Sequence, residues 1–384
     1  MTASNHQIVV VGAGPAGLAA TLALRQAGHE AVCAGPPPDP SAPDRRTTAL
    51  LEGSAQFLRR LGVWDRIAPL AAPLRTLRLI DRTGRLFRAP DMQFEASETG
   101  HDAFGYNIPN VDLHRVLLDA LGGSFLPTTA VSGLVNDDRG AQLSLADGRA
   151  LRANLVVGAD GRQSLCRESA GIGVRRWSYD QTAIVCNFRH SRPHHGACTE
   201  FHYCSGPFTV VPLPGEASSL VWVERPERAK RLAAMSDEEF MGEVSARLDG
   251  LVGDILETGA RGAFPLSGLV ARKLTAARLA LVGEAAHVMP PIGAQGLNLG
   301  FRDASDLADC TAGAADPGDP NVLAAYEARR RSDIFVRTLA ADLLNRTLIS
   351  NSPILQLARG AGLTALSVAG PLRRLAMRQG MTAA

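Results

Sequence analysis

Residues 7–17 read Gln-Ile-Val-Val-Val-Gly-Ala-Gly-Pro-Ala-Gly, and this stretch decides the fold. An apolar run that stops at a glycine is typical of a buried parallel strand. Pro15 stands where the first helical residue would be. The glycines form a Gly-x-Gly-x-x-Gly pattern, which allows a tight turn and lets a pyrophosphate approach the helix N-terminus. The stretch therefore predicts a dinucleotide site at Gly12, Gly14 and Gly17, with Pro15 and Ala16 between the last two glycines.

The second strand lacks one residue that such a site usually has. Residues 30–34 form an apolar strand, and residues 35–43 form a proline-rich loop that cannot be a helix or a central strand. An acid that binds the ribose commonly follows this strand. Here Gly35 and three prolines follow it, and the first acids are Asp39 and Asp44. Either ribose recognition comes from elsewhere, or the site is weaker than the glycine pattern suggests.

Two further glycine turns follow apolar strands. Residues 158–162 read Gly-Ala-Asp-Gly-Arg, although a lone Asp-Gly is usually only a turn. Residues 283–300 read Gly-Glu-Ala-Ala-His-Val-Met-Pro-Pro-Ile-Gly-Ala-Gln-Gly-Leu-Asn-Leu-Gly, after a strand over 278–282. In this motif Glu284 is suited to a ribityl or ribose hydroxyl, and its prolines and glycines let the backbone approach a flat ring. A helix that opens near Leu297 would direct its positive end at an anion placed there.

The remaining patterns predict an α/β chain with an inserted β region. The expected elements are a helix from Thr47 to Trp64, short strands between Leu74 and Pro109, a helix from Val111 to Leu121, a β meander from Val131 to Leu151, mostly β structure over 177–224, helical structure from Asp237 to Leu256 and helix from Pro320 onward.

Length and composition exclude several classes of protein. The chain has 384 residues, 46% of them hydrophobic, with 40 Lys and Arg against 38 Asp and Glu, which is typical of a globular protein too long for one small core. Its positive residues are scattered, so nucleic-acid binding has little electrostatic support. The six cysteines include no Cys-x-x-Cys pair, which fits reduced thiols. Without a signal-like or membrane-spanning pattern, we expect a cytoplasmic protein.

The three glycine elements, in this order, resemble the flavoprotein monooxygenases with the para-hydroxybenzoate hydroxylase fold, which bind FAD. The resemblance covers nearly the whole chain, and the motif at 283–300 is specific because it is too long for generic turn chemistry. Within that family the chain is most similar to the ubiquinone-biosynthesis hydroxylases of the UbiH/UbiF/VisC type. The segments that carry this narrower similarity are Arg46-Thr-Thr-Ala-Leu50, Leu61-Gly-Val-Trp64, residues 206–213 and Leu220-Val-Trp222.

The resemblance also implies which residues contact FAD. The pyrophosphate would be held by Gly12, Gly14, Pro15, Ala16 and Gly17. Further cofactor contacts would come from Arg46, Asn110, Asp160, Gly283 and Glu284. The isoalloxazine ring would be lined by Pro291, Gly293, Gln295, Gly296, Leu297 and Asn298. Three positions depart from the family pattern: Glu284 replaces a common Asp, and Pro290 and Ala294 replace a common His and Gly.

The implied fold is an α/β Rossmann-like FAD-binding domain with a parallel sheet, an inserted, mostly antiparallel β-sheet substrate domain and a helical C-terminus. The expected FAD-binding domain is discontinuous and comprises residues 1–72, 101–174 and 275–330. Residues 73–100 and 175–274 would form the substrate domain, and residues 331–384 the helical C-terminal region.

The implied reaction hydroxylates an aromatic ring through a flavin C4a-hydroperoxide, formed with NADH or NADPH and O2, so no side chain is assigned as catalytic. The preferred substrate is a polyprenylated phenol of ubiquinone biosynthesis, because burial of a lipid tail is favourable and the apolar segments 208–213, 220–223 and 264–270 carry little positive charge. One alternative is a soluble aromatic-acid or natural-product hydroxylase with Arg189 or Arg192 as a carboxylate clamp. A second is a flavin-binding assembly or regulatory subunit without turnover.

Other notable residues have ordinary structural interpretations. No metal is expected, because the zinc-like residues lack paired ligand spacing: they are His194, His195, Cys198, His202 and Cys204. His287 is interpreted as bracing the flavin-lining loop, with a general base as the alternative. Trp222 is the tryptophan expected nearest the substrate. The arginine-rich helices over 360–381 are expected to contact one of three surfaces: the inner face of the membrane, a biosynthetic partner, or this protein itself.

Overall fold

The computed structural model describes residues 4–39, 41, 44–85, 90–291, 293–350, 352, 355–357, 360–362, 364, 370, 373–374 and 377. Its strands are β1 Ser4–Val11, β2 Ala31–Gly35, β3 Thr47–Leu51, β4 Ala72–Leu74, β5 Thr76–Asp81, β6 Met92–Glu95, β7 Gly105–Pro109, β8 Phe125–Pro127, β9 Val131–Asp137, β10 Gly140–Leu145, β11 Ala150–Gly158, β12 Val174–His190, β13 Ala197–Tyr203, β14 Gly206–Leu213, β15 Ala217–Glu224, β16 Ile255–Thr258, β17 Gly262–Ala271, β18 Thr275–Ala276, β19 Leu279–Leu281 and β20 His287–Val288. Its helices are α1 Pro15–Gln26, α2 Glu52–Arg60, α3 Trp64–Ile67, α4 Asn110–Leu121, α5 Leu165–Ser169, α6 Pro226–Ala234, α7 Asp237–Leu248, α8 Gln295–Thr311 and α9 Pro320–Ile349.

The first sheet has a parallel centre, as the apolar runs predict. Its main path is β18-β19-β11-β1-β2-β8, and β1 pairs in parallel with both β11 and β2. Ile8, Val9 and Val10 are fully buried there, because helices cover both faces of such a sheet. Gly14 caps α1 and Pro15 is its first residue. The predicted strand, glycine turn and helix are confirmed.

The second sheet has nine strands on the main path β20-β17-β12-β15-β14-β13-β5-β6, with β16 beside β12. All its pairings are antiparallel except that of β13 with β5. One face packs on α6 and α7. Along β13 and β14, residues that point to the opposite face are partly exposed, and the side chain of Glu200, for example, is 20% exposed. The sheet therefore has one core face and one open face, here called the open wall.

A small third sheet, in which β7 pairs with β3 and β4, overturns one prediction. The expected helix from Thr47 to Trp64 begins only at Glu52, because residues 47–51 form β3. Two β-branched threonines suit a strand, and β3 finds an antiparallel partner in β7. Helical spacing within one segment carries no information about that partner, which lies more than fifty residues further along the chain.

A second prediction was also wrong in extent. The helical structure expected from Asp237 to Leu256 ends at Leu248, where Asp249 adopts a left-handed conformation with φ 49°. The following residues enter the edge strand β16, which pairs with β12. The helix α6, which precedes this stretch, was not anticipated from the sequence.

The C-terminal prediction is confirmed for α9 and falls partly outside the described residues beyond it. Leu363, Leu366, Leu372, Leu375 and Arg378 lie outside the part of the chain that the structure describes. Arg373 is described: its guanidinium donates to both carboxylate oxygens of Glu98 and lies over the Phe94 ring. Met377 packs with Met92 and Phe94. At these positions the C-terminal segment contacts its own protein. In the described part of the chain, no helix combines the length and apolar character needed to cross a bilayer.

Candidate cofactor site and substrate wall

The three glycine motifs, far apart in sequence, meet at the N-terminus of α1. A Cβ built on Gly283 would lie 3.1 Å from the Cβ of Ala16, and one on Gly300 would lie 3.3 Å from it. A Cβ on Gly12 would lie 2.2 Å from the carbonyl oxygen of Ala159. The first motif therefore contacts both of the others, and small residues make those contacts possible.

The three glycines of the first motif are required for different reasons. A Cβ on Gly17 would lie 2.0 Å from the carbonyl oxygen of Gly12, and Gly12 itself has φ +116°. Both are therefore required by the protein's own packing. Gly14 differs, because its φ of −72° suits any L-residue and nothing lies within 4 Å of an added Cβ. This open space at a helix N-terminus fits a pyrophosphate.

The missing ribose acid has a steric explanation. A Cβ on Gly35 would lie 2.7 Å from the backbone nitrogen of Ala13. An aspartate or glutamate at this position would clash with the glycine loop. His114 on α4 instead contacts this loop, because its Nε2 lies 2.7 Å from the carbonyl oxygen of Ala13. His114 lies outside the three glycine motifs.

Arg46 and Asn110 are brought together by a residue that the sequence analysis did not assign. Arg46 donates two hydrogen bonds of 2.8 Å to the carboxylate of Asp44, and Asn110 Nδ2 donates to the same group at 2.9 Å. Thr48 Oγ1 donates to Asn110 Oδ1 at 2.6 Å. Burial raises the pKa of Asp44, but hydrogen bonds from Arg46 and Asn110 outweigh it and lower the pKa to about 2. Asp44 thus holds both predicted cofactor residues in place.

Asp160 and Glu284 differ in how free their carboxylates are. Asp160 accepts from Ser164 Oγ at 2.5 Å and from the backbone nitrogen of Cys166 at 3.0 Å, so it stabilises the start of α5. Glu284 has a half-exposed side chain and pairs with Arg162 at 3.4 Å. An exposed pair of this kind is weak, so Glu284 is available to a ligand.

Pro291 and residues 293–298 belong to the start of α8 and the loop before it. Pro291, Gly293 and Gly296 are exposed. Gln295 Oε1 accepts from Arg337 of α9 at 3.1 Å. Asn298 is buried, and its side chain exchanges two hydrogen bonds of 2.8 Å with the backbone of β3. Leu297 is partly buried against the core.

Ala294, the residue that caps α8, is left-handed with φ 54°. Glycine adopts this conformation without strain, whereas alanine does not, so Ala294 is a strained position.

Beneath this loop lies a buried charge cluster that the motifs did not reveal. Asp303 accepts from the backbone nitrogen of Gly283 at 2.9 Å, from His287 Nε2 at 2.6 Å and from Arg330 Nε at 2.7 Å. Arg330 also donates to Asp306 and Asp333. Burial raises the pKa of Asp303, but the charges of His287 and Arg330 outweigh it and hold the pKa below its usual value. Asp303 thereby fixes the segment before the loop that is predicted to line the flavin.

The position of His287 in this cluster agrees with its interpretation as a bracing residue. The sequence did carry a signal for its partner, because Asp303 falls on α8 one turn after Leu299, on the side that faces the core.

The open wall of the nine-stranded sheet faces the cofactor residues. Asn187 and Ser219 lie on this face, and they bond to the carbonyl oxygen of Arg45 at 3.1 Å and to Thr47 Oγ1 at 2.9 Å. The Arg46 guanidinium lies 5.4 Å from the ring centroid of Phe264. Trp222 is on the other face, 1% exposed, and packs against Phe208 and Phe240. The expectation that Trp222 lies nearest the substrate is wrong, because the strand alternation turns it toward α7.

The zinc-like residues have other partners. His194 Nε2 lies 2.9 Å from the carbonyl oxygen of Leu213, and His202 pairs with Glu200 at 2.8 Å. Among the residues that the structure describes, no three His, Cys, Asp or Glu side chains are grouped so that they could hold a metal ion.

Comparison with known proteins shows which family the chain belongs to. The model of the FAD binding domain family matches residues 5–337. The chain is 36% identical to ubiquinone hydroxylase UbiL of Rhodospirillum rubrum, over 97% of this chain and 89% of the relative. It is 33% identical to 3-demethoxyubiquinol 3-hydroxylase of Escherichia coli, over 98% of this chain and 99% of the relative.

Solved structures share the fold. The p-nitrophenol 4-monooxygenase PnpA of Pseudomonas putida superposes with a TM-score of 0.80 at 21% identity, covering 98% of each chain. HpxO of Klebsiella pneumoniae, solved with FAD, superposes with a TM-score of 0.79 at 20% identity, covering 98% of each chain.

Proposed function

The chain belongs to the FAD binding domain family and is an FAD-dependent aromatic hydroxylase, and from that premise we propose that it hydroxylates a polyprenylated phenol in ubiquinone biosynthesis. The names of the UbiL and 3-demethoxyubiquinol relatives support this substrate. The observation that carries the proposal is the open wall, where Val185 and Val221 form a row of uncharged side chains on the face that contacts the segment of Arg46.

In this proposal the residues of the three motifs hold FAD. Gly14 leaves space for the pyrophosphate at the N-terminus of α1. Arg46 and Asn110, which Asp44 holds in place, contact the cofactor. Glu284 gives up its ion pair with Arg162 and binds the ribityl chain instead. When bound and reduced by NADH or NADPH, FAD supplies the oxygen-transfer chemistry. The start of α8 directs its positive end toward the flavin and stabilises negative charge there.

The open wall supports a neutral, lipid-tailed substrate over an aromatic acid. Strand register places Val221 between Val185 and Thr209 on one row of this face. Each methylene of a tail buried against such a surface contributes about 0.8 kcal/mol. The proposed clamp arginines of the aromatic-acid alternative, Arg189 and Arg192, are both exposed.

A peripheral contact with the inner face of the membrane would bring this cytoplasmic enzyme to such a substrate. Support comes from α9, where the exposed positions from 335 to 344 are all apolar. Phe335, Val336 and Leu344 are each more than 60% exposed. Contiguous exposed apolar surface of this kind marks a contact site for a protein or a membrane.

The proposed FAD-binding domain comprises segments 1–72, 101–174 and 275–330, and the proposed substrate domain comprises segments 73–100 and 175–274. Sheet membership supports this division, because the described strands of the sheet with the parallel centre come from the first set and most of those of the nine-stranded sheet come from the second. The short strand β20 belongs to the first set by sequence and to the second sheet by pairing.

The purified, FAD-loaded enzyme tests the proposal directly. We expect NADH or NADPH oxidation and product formation with a phenol that carries a short prenyl chain, and little with 4-hydroxybenzoate. Quinone profiling of a deletion strain should show a prenylated intermediate that lacks one hydroxyl group. Turnover of 4-hydroxybenzoate without activity on prenylated phenols would establish the aromatic-acid alternative instead.

A further inference from the structure

We propose that Glu200 is the group that recognises the ring hydroxyl of the substrate by accepting its hydrogen bond. This inference rests on the proposed function, because it names the polar anchor of a phenol on the open wall. Glu200 belongs to no sequence motif described above and was not among the residues assigned to FAD.

Strand register fixes where Glu200 lies. It pairs with Thr209 across β13 and β14, and Thr209 pairs with Val221 on β15. Paired residues share a face of a sheet, and Val221 pairs in turn with Val185. Residues two positions along on the same face are Asn187 and Ser219, which bond to the segment that contains Arg46. Glu200 is thus a carboxylate on the wall that faces the cofactor residues.

The neighbours of Glu200 keep it ionised and oriented. His202 Nε2 lies 2.8 Å from Oε1, and Thr209 Oγ1 donates to Oε2 at 3.1 Å. Burial raises the pKa of Glu200, but the hydrogen bond and charge of His202 and the hydrogen bond of Thr209 outweigh it and hold the pKa below its usual value. An ionised carboxylate has about four acceptor sites on its two oxygens. Two of them are used by these contacts, which leaves acceptor capacity on a side chain that is 20% exposed.

An ionised carboxylate in this position selects by chemistry. It accepts a hydrogen bond from the hydroxyl group of a phenol. An aryl methyl ether has no such donor, and the carboxylate of a benzoate is repelled by the like charge. The proton stays on the phenol oxygen, because a carboxylate with a lowered pKa is a far weaker base than a phenolate, whose conjugate acid has a pKa of about 10. The hydrogen bond to Glu200 fixes the orientation of the phenol and draws electron density toward its oxygen and ring, which favours attack on an electrophilic oxygen.

The test compares matched ligands and matched variants of the FAD-loaded enzyme. The ligands are 2-hexylphenol, its methyl ether and 4-hydroxybenzoate, each titrated for binding by calorimetry. The variants are wild type, Glu200→Gln and, as a control on an exposed strand of the same sheet, Glu257→Gln. Binding is measured without reductant, so the readout does not depend on turnover.

We expect wild type and Glu257→Gln to bind the phenol at least tenfold more tightly than its ether. In Glu200→Gln that ratio should fall to about threefold or less, binding of 4-hydroxybenzoate should improve, and kcat with 2-hexylphenol should fall at least tenfold. Retention of the wild-type phenol-to-ether ratio by a folded, FAD-loaded Glu200→Gln would overturn the inference. Failure of wild type to bind or hydroxylate any phenol would instead overturn the proposed function.

Discussion

At the scale of single residues, Gly14 separates cofactor binding from folding. Its conformation suits a side chain and the space beside it is open. We therefore expect Gly14→Val to fold normally and to purify without FAD, since the branched side chain fills the pyrophosphate space. Gly17→Ala should instead misfold, because its Cβ would meet the Gly12 carbonyl oxygen. Circular dichroism and the flavin absorbance of the purified variants check both outcomes. Full flavin content in Gly14→Val would contradict the assignment of this glycine.

Ala294 carries a local strain that one substitution can remove. A left-handed alanine costs roughly 1–2 kcal/mol relative to an unstrained conformation, so Ala294→Gly should raise the free energy of unfolding by about 1 kcal/mol. Ala312 provides the control, because its φ is −55° and Ala312→Gly should lower stability. Urea denaturation of the two variants measures the difference. If both substitutions destabilised the protein equally, the left-handed conformation at 294 would not be a source of strain.

At the scale of secondary-structure elements, Arg330 joins α9 to α8 and to the flavin-lining segment. Its side chain is fully buried and compensates Asp303. Removing one partner of a buried pair costs about 3–5 kcal/mol, so Arg330→Met should lower the free energy of unfolding by about that amount. Hydrogen exchange of residues 283–291 should rise most, because Asp303 also holds Gly283 and His287.

The neighbouring Arg329 is a close control for this change. It pairs with Asp306 and Asp309 but is 47% exposed, so Arg329→Met should cost under about 1 kcal/mol. If the free energy of unfolding fell equally in the two variants, the buried Arg330 would contribute no more to stability than the exposed Arg329. A double-mutant cycle with Asp303→Asn should give a coupling energy of at least about 1 kcal/mol.

The elements that follow from local signals were predictable, and those that depend on distant partners were not. The sequences of β1, α1 and α9 each contain the hydrophobic pattern of the element and residues that mark where it begins or ends. The strand β3 exists because β7 pairs with it. The cofactor motifs were found because glycine spacing reports backbone requirements directly. Asp44 and Glu200 were missed, since a single acid acquires its role only from neighbours that the fold supplies.

At the scale of the whole molecule, FAD would bind where the three distant segments meet. Ligand that binds only the folded state at 100 times its dissociation constant stabilises it by about 2.7 kcal/mol. We expect removal of FAD to lower the denaturation midpoint by a matching amount, and Gly14→Val to show no response to added FAD. Tryptophan fluorescence is a suitable signal, because Trp64 packs on the first core and Trp222 lies in the second. If the denaturation midpoint of the wild type were the same with and without FAD, this placement of the cofactor would be contradicted.

The order of strands in the first sheet has a consequence for biosynthesis. β1, β11 and β19 lie side by side, although the ribosome produces them at the beginning, middle and late part of translation. The α1 turn therefore waits for Gly283 and Gly300 before its site is complete. Until β19 is made, β11 keeps part of one edge unpaired, and exposed strand edges of this kind are prone to associate with other chains, a stage at which chaperones protect multidomain proteins. A cofactor that binds where these segments meet would therefore be taken up only after α8 has been synthesised.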